Sequence, residues 1–266
     1  MTSPPVLKPY PWRLFWLLFV GEVLAVLAVV PAGIELLGPI ISKQPLPNAP
    51  LPLLILVGVI QNVALLAFTV WLGLKLSRRL GLGAPLLESW LSRGSESRPR
   101  RTHILQSGIL TGVVLGIVLV LALLVLVPRL PNLPFVVVAR LSIWKRFLMC
   151  FYGGVYEELL TRLFLLTLVA WIANRSWRNT VPKLSNSAFW FANVFTAIIF
   201  GLGHLPSASL FMPITPLVVV AALLLNGVAG IAFGYLYRRD GLEAAMIAHF
   251  TCDVMIWVVG PVFIKS

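Results

Sequence analysis

The sequence predicts an all-α, polytopic membrane helix bundle with seven to eight transmembrane helices, on three observations. Of the 266 residues, 59% are hydrophobic and 11% charged, whereas a soluble globular domain carries roughly a quarter charged residues. Apolar runs of about 20 residues, the length that crosses a bilayer core in a helix, recur along the chain. The Lys and Arg behind the formal charge of +12 cluster between those runs, where they set orientation and meet anionic headgroups. The lipid bilayer is thus the expected partner of the basic residues, and nucleic acid is not.

The first run, residues 13–38, follows Lys8 and Arg13 and has the outline of a signal peptide. Its apolar stretch of about 25 residues exceeds the usual h-region, so a retained span is expected. Six more runs lie at 51–74, 105–127, 147–173, 187–205, 215–237 and 242–263. The stretch from Pro131 to Trp144 is apolar enough for a short or re-entrant eighth element. Between the second and third runs, residues 75–104 form the largest polar interval, with Lys75, Arg78, Arg79, Arg93, Arg98, Arg100 and Arg101 around the apolar piece GLGAPLLESWL. That interval reads as a basic cytoplasmic-side loop holding a helix along the interface.

Placing the N-terminus inside puts the larger share of the 21 Lys and Arg on inner segments, as the positive-inside tendency requires. Arg140, Lys145 and Arg146 on the outer face run against it. The expected organisation is one membrane domain over residues 1–266, without internal repeats, in the cell membrane. Cys150 and Cys252 lie in apolar stretches, which suits buried thiols and not a disulfide framework.

Ionisable groups inside a bilayer are costly unless paired or facing a polar cavity, so each is a candidate functional residue. The candidates that suggest chemistry converge on three runs. The fourth contains Tyr156-Glu157-Glu158-Leu159-Leu160-Thr161-Arg162, the fifth ends in Phe200-Gly201-Leu202-Gly203-His204, and the seventh contains His249-Phe250-Thr251-Cys252-Asp253. Glu158 and Arg162, one turn apart on one helix face, are expected to pair structurally. Glu157 points about 100° away and is left as the candidate general base. Phe200 shares the helical face of His204. His249 and Asp253 are also one turn apart, so the carboxyl could hold the imidazole in one tautomer. Two histidines and a glutamate on separate helices can hold a water. Taken singly, each group also fits a bland role: an interfacial histidine, or a buried pair that fixes helix packing.

These segments resemble the CAAX protease and bacteriocin-processing family, the Abi or Rce1-like glutamate intramembrane peptidases. The first motif, two glutamates and an Arg, is matched by Glu157, Glu158 and Arg162; the second, Phe and His four apart, by Phe200 and His204; the third by His249 and Asp253. GIAFGYLYRRDGLEAAMIAH is similar to the segment leading into the third motif, and the resemblance covers about residues 145–258. Each motif is weak alone; three in order on three apolar runs are specific. The resemblance implies an intramembrane endopeptidase in which Glu157 and His204 activate a water while His249 and Asp253 face the oxyanion. The substrate would be a membrane-associated peptide or protein, including prenylated ones. The implied mechanism is metal-free, although Glu157, His204 and His249 are zinc-competent donors; no HExxH motif is present. Asp253 departs from the commoner Asn, since an ionised Asp cannot donate to an oxyanion, and is expected to orient His249. The alternatives are a proton- or ion-coupled transporter using the same residues as a relay, and a non-catalytic immunity or scaffold member of the family.

Overall fold

The structure is a computed structural model and describes residues 11–41, 50–92, 101–130, 132–177 and 184–264. Every regular element among them is helical, as expected where the lipid offers no partner for an unsatisfied backbone group. The long helices are α1 (Trp12–Ile41) and α2 (Leu51–Leu80), followed by the short α3 (Pro85–Leu91), then α4 (Arg101–Leu126) and the six-residue α5 (Pro134–Ala139). α6 (residues 143–177) is a composite of Ile143–Phe151, Tyr152–Glu157, Leu159–Leu166 and Thr167–Trp177. α7 (Asn186–Gly203) leads through His204 into α8 (Leu205–Ser209), and α9 (Pro216–Asp240) and α10 (Leu242–Phe263) complete the bundle.

Six helices among the described residues are long and apolar enough to cross a membrane: α1, α2, α4, α7 with α8, α9 and α10. The expected count of seven to eight is therefore not reached on that measure. The run at 147–173 lies within α6, which is interrupted by π-helical turns and carries Glu157, Glu158 and Arg162. The stretch from Pro131 to Trp144 yields only α5, too short to cross. The polar interval also begins later than expected. α2 continues through Lys75, Arg78 and Arg79 and ends at Gly81, whose φ of 73° is a left-handed cap. The expected interfacial helix is the seven-residue α3, which is tied to α10 by Leu87 N–H donating to Glu243 Oε1 at 2.8 Å. Lys8, Lys43, Arg93, Arg98, Arg100, Arg178, Lys183 and Lys265 lie outside the described residues.

α4 shows how the helices divide lipid from protein. Leu110, Val114, Leu121 and Val125 are exposed on it, while Gly108, Gly112 and Gly116 recur every fourth residue along its buried side. A methyl group at Gly108 would come within 2.8 Å of Ile247, and one at Gly112 would overlap the Ala248 carbonyl. Without those side chains α4 lies directly against α10, the close approach that small residues permit between helices in lipid. α6 sits between α1 and α2 on one side and α7 and α10 on the other, so its polar residues point into the bundle.

Candidate active site

The site is assembled where α6 meets α10. Two stretches of α6, Tyr152–Glu157 and Leu159–Leu166, are π-helical, a conformation that frequently marks functional positions. Gly153 and Gly154 fall in the first. A methyl at Gly154 would stand 2.7 Å from Phe250 Cβ, and one at Gly153 would overlap the Asp253 carboxylate and reach 3.0 Å from His249 Nε2. The paired glycines are what let the His249 and Asp253 face of α10 rest on α6.

His249 is the centre of the cluster and is buried. Its Nδ1 is 2.7 Å from Glu158 Oε1, while its Nε2 faces Glu157 Oε2 at 3.6 Å and Asp253 Oδ1 at 3.8 Å. A carboxylate only accepts, so Nδ1 carries the proton and donates to Glu158. The imidazole is wedged between rings: Phe233 stacks on it at 4.7 Å and Phe200 meets it edge-on at 5.8 Å.

The expected pair of Glu158 and Arg162 is present, 2.9 Å apart, with both side chains buried. Arg162 donates from NH2 to the Gly230 carbonyl at 3.2 Å and lies over the Phe200 and Phe233 rings. It also donates to Thr161 Oγ1, which in turn donates to the Glu157 carbonyl. Glu158 does more than expected, because the oxygen that meets Arg162 also fixes His249. Asp253 does less. At 3.8 Å from Nε2 it stands farther from the ring than Glu158 does from Nδ1, and its carboxylate also interacts with Trp257. The turn spacing of His249 and Asp253 brings them near each other, but the stronger bond comes from a different helix.

His204 caps the C-terminus of α7. Its backbone N–H bonds the Gly201 carbonyl at 3.2 Å, and its ring Nδ1 donates to the Phe200 carbonyl at 2.7 Å. The last carbonyls of a helix lack intrahelical partners, so the imidazole satisfies one of them. That bond fixes the tautomer and leaves Nε2 with a lone pair able to accept a proton. Phe200 packs edge-on against this ring at 4.8 Å, and therefore touches both histidines and Arg162.

Glu157, His204, His249 and Asp253 all line one cavity of about 410 Å³. Its remaining wall is mostly apolar, drawn from α1 (Val29, Ala32, Leu36), α4 (Leu119, Leu123), α5 and α9. Such a chamber admits an apolar segment and presents it to a few polar groups, the usual composition of a ligand site. Cys252 is buried beside these residues and, like Cys150, forms no disulfide. Among the described residues no cluster of three or more His, Cys, Asp and Glu is arranged to hold a metal ion; the carboxylates surround an imidazole.

Sequence reasoning missed Gly153 and Gly154, the stacking Phe233, Trp257 and Asn226, which also lines the cavity. The paired glycines, separated from the two glutamates by Val155 and Tyr156, were a readable signal of close helix approach. Phe233 carried no signal distinct from the apolar composition of α9.

Residues 139–255 match the family described as type II CAAX prenyl endopeptidase Rce1-like. No curated protein and no solved structure matches the chain. The matched segment runs from the end of α5 into α10 and holds every site residue expected from the sequence. The family and the six apolar helices together support an integral membrane protein.

Proposed function

We propose, taking as premise that residues 139–255 form a type II CAAX prenyl endopeptidase Rce1-like domain, that this protein is an intramembrane endopeptidase of the glutamate type. Its substrate is a membrane-associated, prenylated peptide or protein. The observation that carries the reading is the position of His249, in contact with Glu157, Glu158 and Asp253 at the wall of an apolar cavity that His204 also lines.

In this reading Glu157 and the free Nε2 of His204 take the proton from a water, whose oxygen adds to the scissile carbonyl. The carbonyl π electrons move onto oxygen, and the tetrahedral adduct collapses as the amine leaves with a proton returned from Glu157. His249 faces the developing charge, with its ring held by Glu158. Asp253, beside Trp257, acts by position. The 410 Å³ cavity receives the apolar part of the substrate. α6 forms a seventh crossing, because its polar residues face protein and not lipid. The basic ends of α2 and α9, with Arg78, Arg79, Arg238 and Arg239, mark the cytoplasmic side of a cell-membrane protein with its N-terminus inside.

The test is hydrolysis of a farnesylated Cys-aliphatic-aliphatic-X peptide and of an unprenylated membrane-peptide library by purified protein, with Glu157→Ala and His204→Ala as controls. Wild type should cleave, and each variant should lose about 10²-fold or more, the scale of a removed general base. Equal cleavage by wild type and Glu157→Ala would sink the peptidase reading. A chelator should leave the rate unchanged; its loss would move Glu157, His204 and His249 to the role of metal ligands.

A further inference from the structure

A carbonyl under attack by water needs a hydrogen-bond donor at the oxygen that becomes negative. The polar side chains lining the cavity can be taken in turn. Glu157 and Asp253 only accept when ionised. His204 spends its Nδ1–H on the Phe200 carbonyl, and Ser207 donates its hydroxyl to the His204 carbonyl at 2.9 Å. The Tyr152 ring stacks on Tyr156 at 4.3 Å, Tyr156 donates to Asn62 Oδ1 at 2.6 Å, and Trp257 interacts with Asp253. His249 gives its Nδ1–H to Glu158 and offers an Nε2–H only as the imidazolium.

The lining also holds one carboxamide. Asn226 lines the same cavity from α9 and bonds the Ala222 carbonyl through Nδ2 at 3.0 Å. A carbonyl can only accept, so this bond identifies the amide nitrogen, and the nitrogen has a second N–H that no described residue takes. The placement is not incidental to the site. Asn226, Gly230 and Phe233 follow one another at four- and three-residue steps along one face of α9, and the other two already touch the site. Gly230 accepts from Arg162, and Phe233 stacks on His249. An Asn inside an apolar helix is otherwise an expensive residue.

We propose that Asn226 donates the hydrogen bond that stabilises the oxyanion formed when water adds to the scissile carbonyl. The inference rests on the peptidase reading. It makes Asn226 a catalytic residue that bonds the reacting oxygen in the transition state more strongly than in the bound substrate.

Steady-state cleavage of the farnesylated peptide by wild type, Asn226→Ala, Asn226→Asp and Glu157→Ala tests it, with thermal unfolding in detergent recorded for each. Removing one oxyanion donor lowers kcat by about 10²–10³-fold, with KM held within about threefold because ground-state binding is unaffected. Asn226→Asp, of equal size but with no N–H, should be as slow as Asn226→Ala while melting near wild type. Turnover by either variant within about threefold of wild type overturns the inference alone, as does a loss confined to KM. Absence of wild-type cleavage, or full activity in Glu157→Ala, overturns the peptidase reading and this inference with it.

Discussion

Among the described residues Arg162 is the cation paired within the carboxylates that surround His249, and it is buried away from solvent. Removing its charge leaves Glu158 buried and uncompensated, a change that costs about 3–5 kcal/mol when one partner of a buried pair is lost. Arg162→Met should therefore depress the thermal midpoint strongly and abolish cleavage, because Glu158 also sets the ring of His249. Asp253→Asn is expected to behave otherwise. It keeps the shape beside Trp257 and leaves the bond between Glu158 and His249 intact, so it should keep its melting temperature and most of its activity. A loss as complete as that of Glu157→Ala would assign the Asp253 charge to the chemistry itself. The identity of these residues was legible in the sequence because charge inside an apolar run has few explanations. Their pairing was legible only within a helix. Spacing revealed Glu158 with Arg162, but not Glu158 with His249, whose bond spans 91 positions.

At the scale of elements, apolar length alone located the crossing helices, and the six that meet the requirement lie close to the runs read from the sequence. What length does not encode is the pitch of a helix. The first π stretch of α6 holds Gly153 and Gly154, which admit α10, a contact made far along the chain. The glycine seam of α4 is the counterpart on the other side of α10, and it is directly testable. Gly112→Leu would drive a side chain into the Ala248 carbonyl and Thr251, and overpacking of this kind costs about 1–3 kcal/mol or more. Gly58→Leu serves as the comparison, since a methyl there meets nothing within 4 Å. Thermal unfolding should show a clear drop for the first and almost none for the second; equal midpoints would mean that α4 and α10 are not held by this seam.

For the whole molecule, the proposed catalytic face and the cavity beside it belong to different parts of the chain. Glu157, His204, His249 and Asp253 lie within residues 139–255, whereas Val29, Ala32, Leu36, Leu119 and Leu123 complete the chamber from α1 and α4. A fragment of residues 139–266 should accordingly insert without cleaving the farnesylated peptide, and co-expression with residues 1–138 should restore turnover. Activity in the isolated fragment would show that α1 and α4 are dispensable walls.

The seam of Gly108, Gly112 and Gly116 also limits which C-terminal segments could be grafted onto this chain. Recombination at residue 139 would transplant all four proposed site residues, yet the incoming α10 would still have to fit a surface shaped by the glycines of α4. Chimeras should survive only where the donor places its side chains in the gaps now occupied by Ile247, Thr251 and Met255, which makes α4 the arbiter of which C-terminal halves this chain can accept.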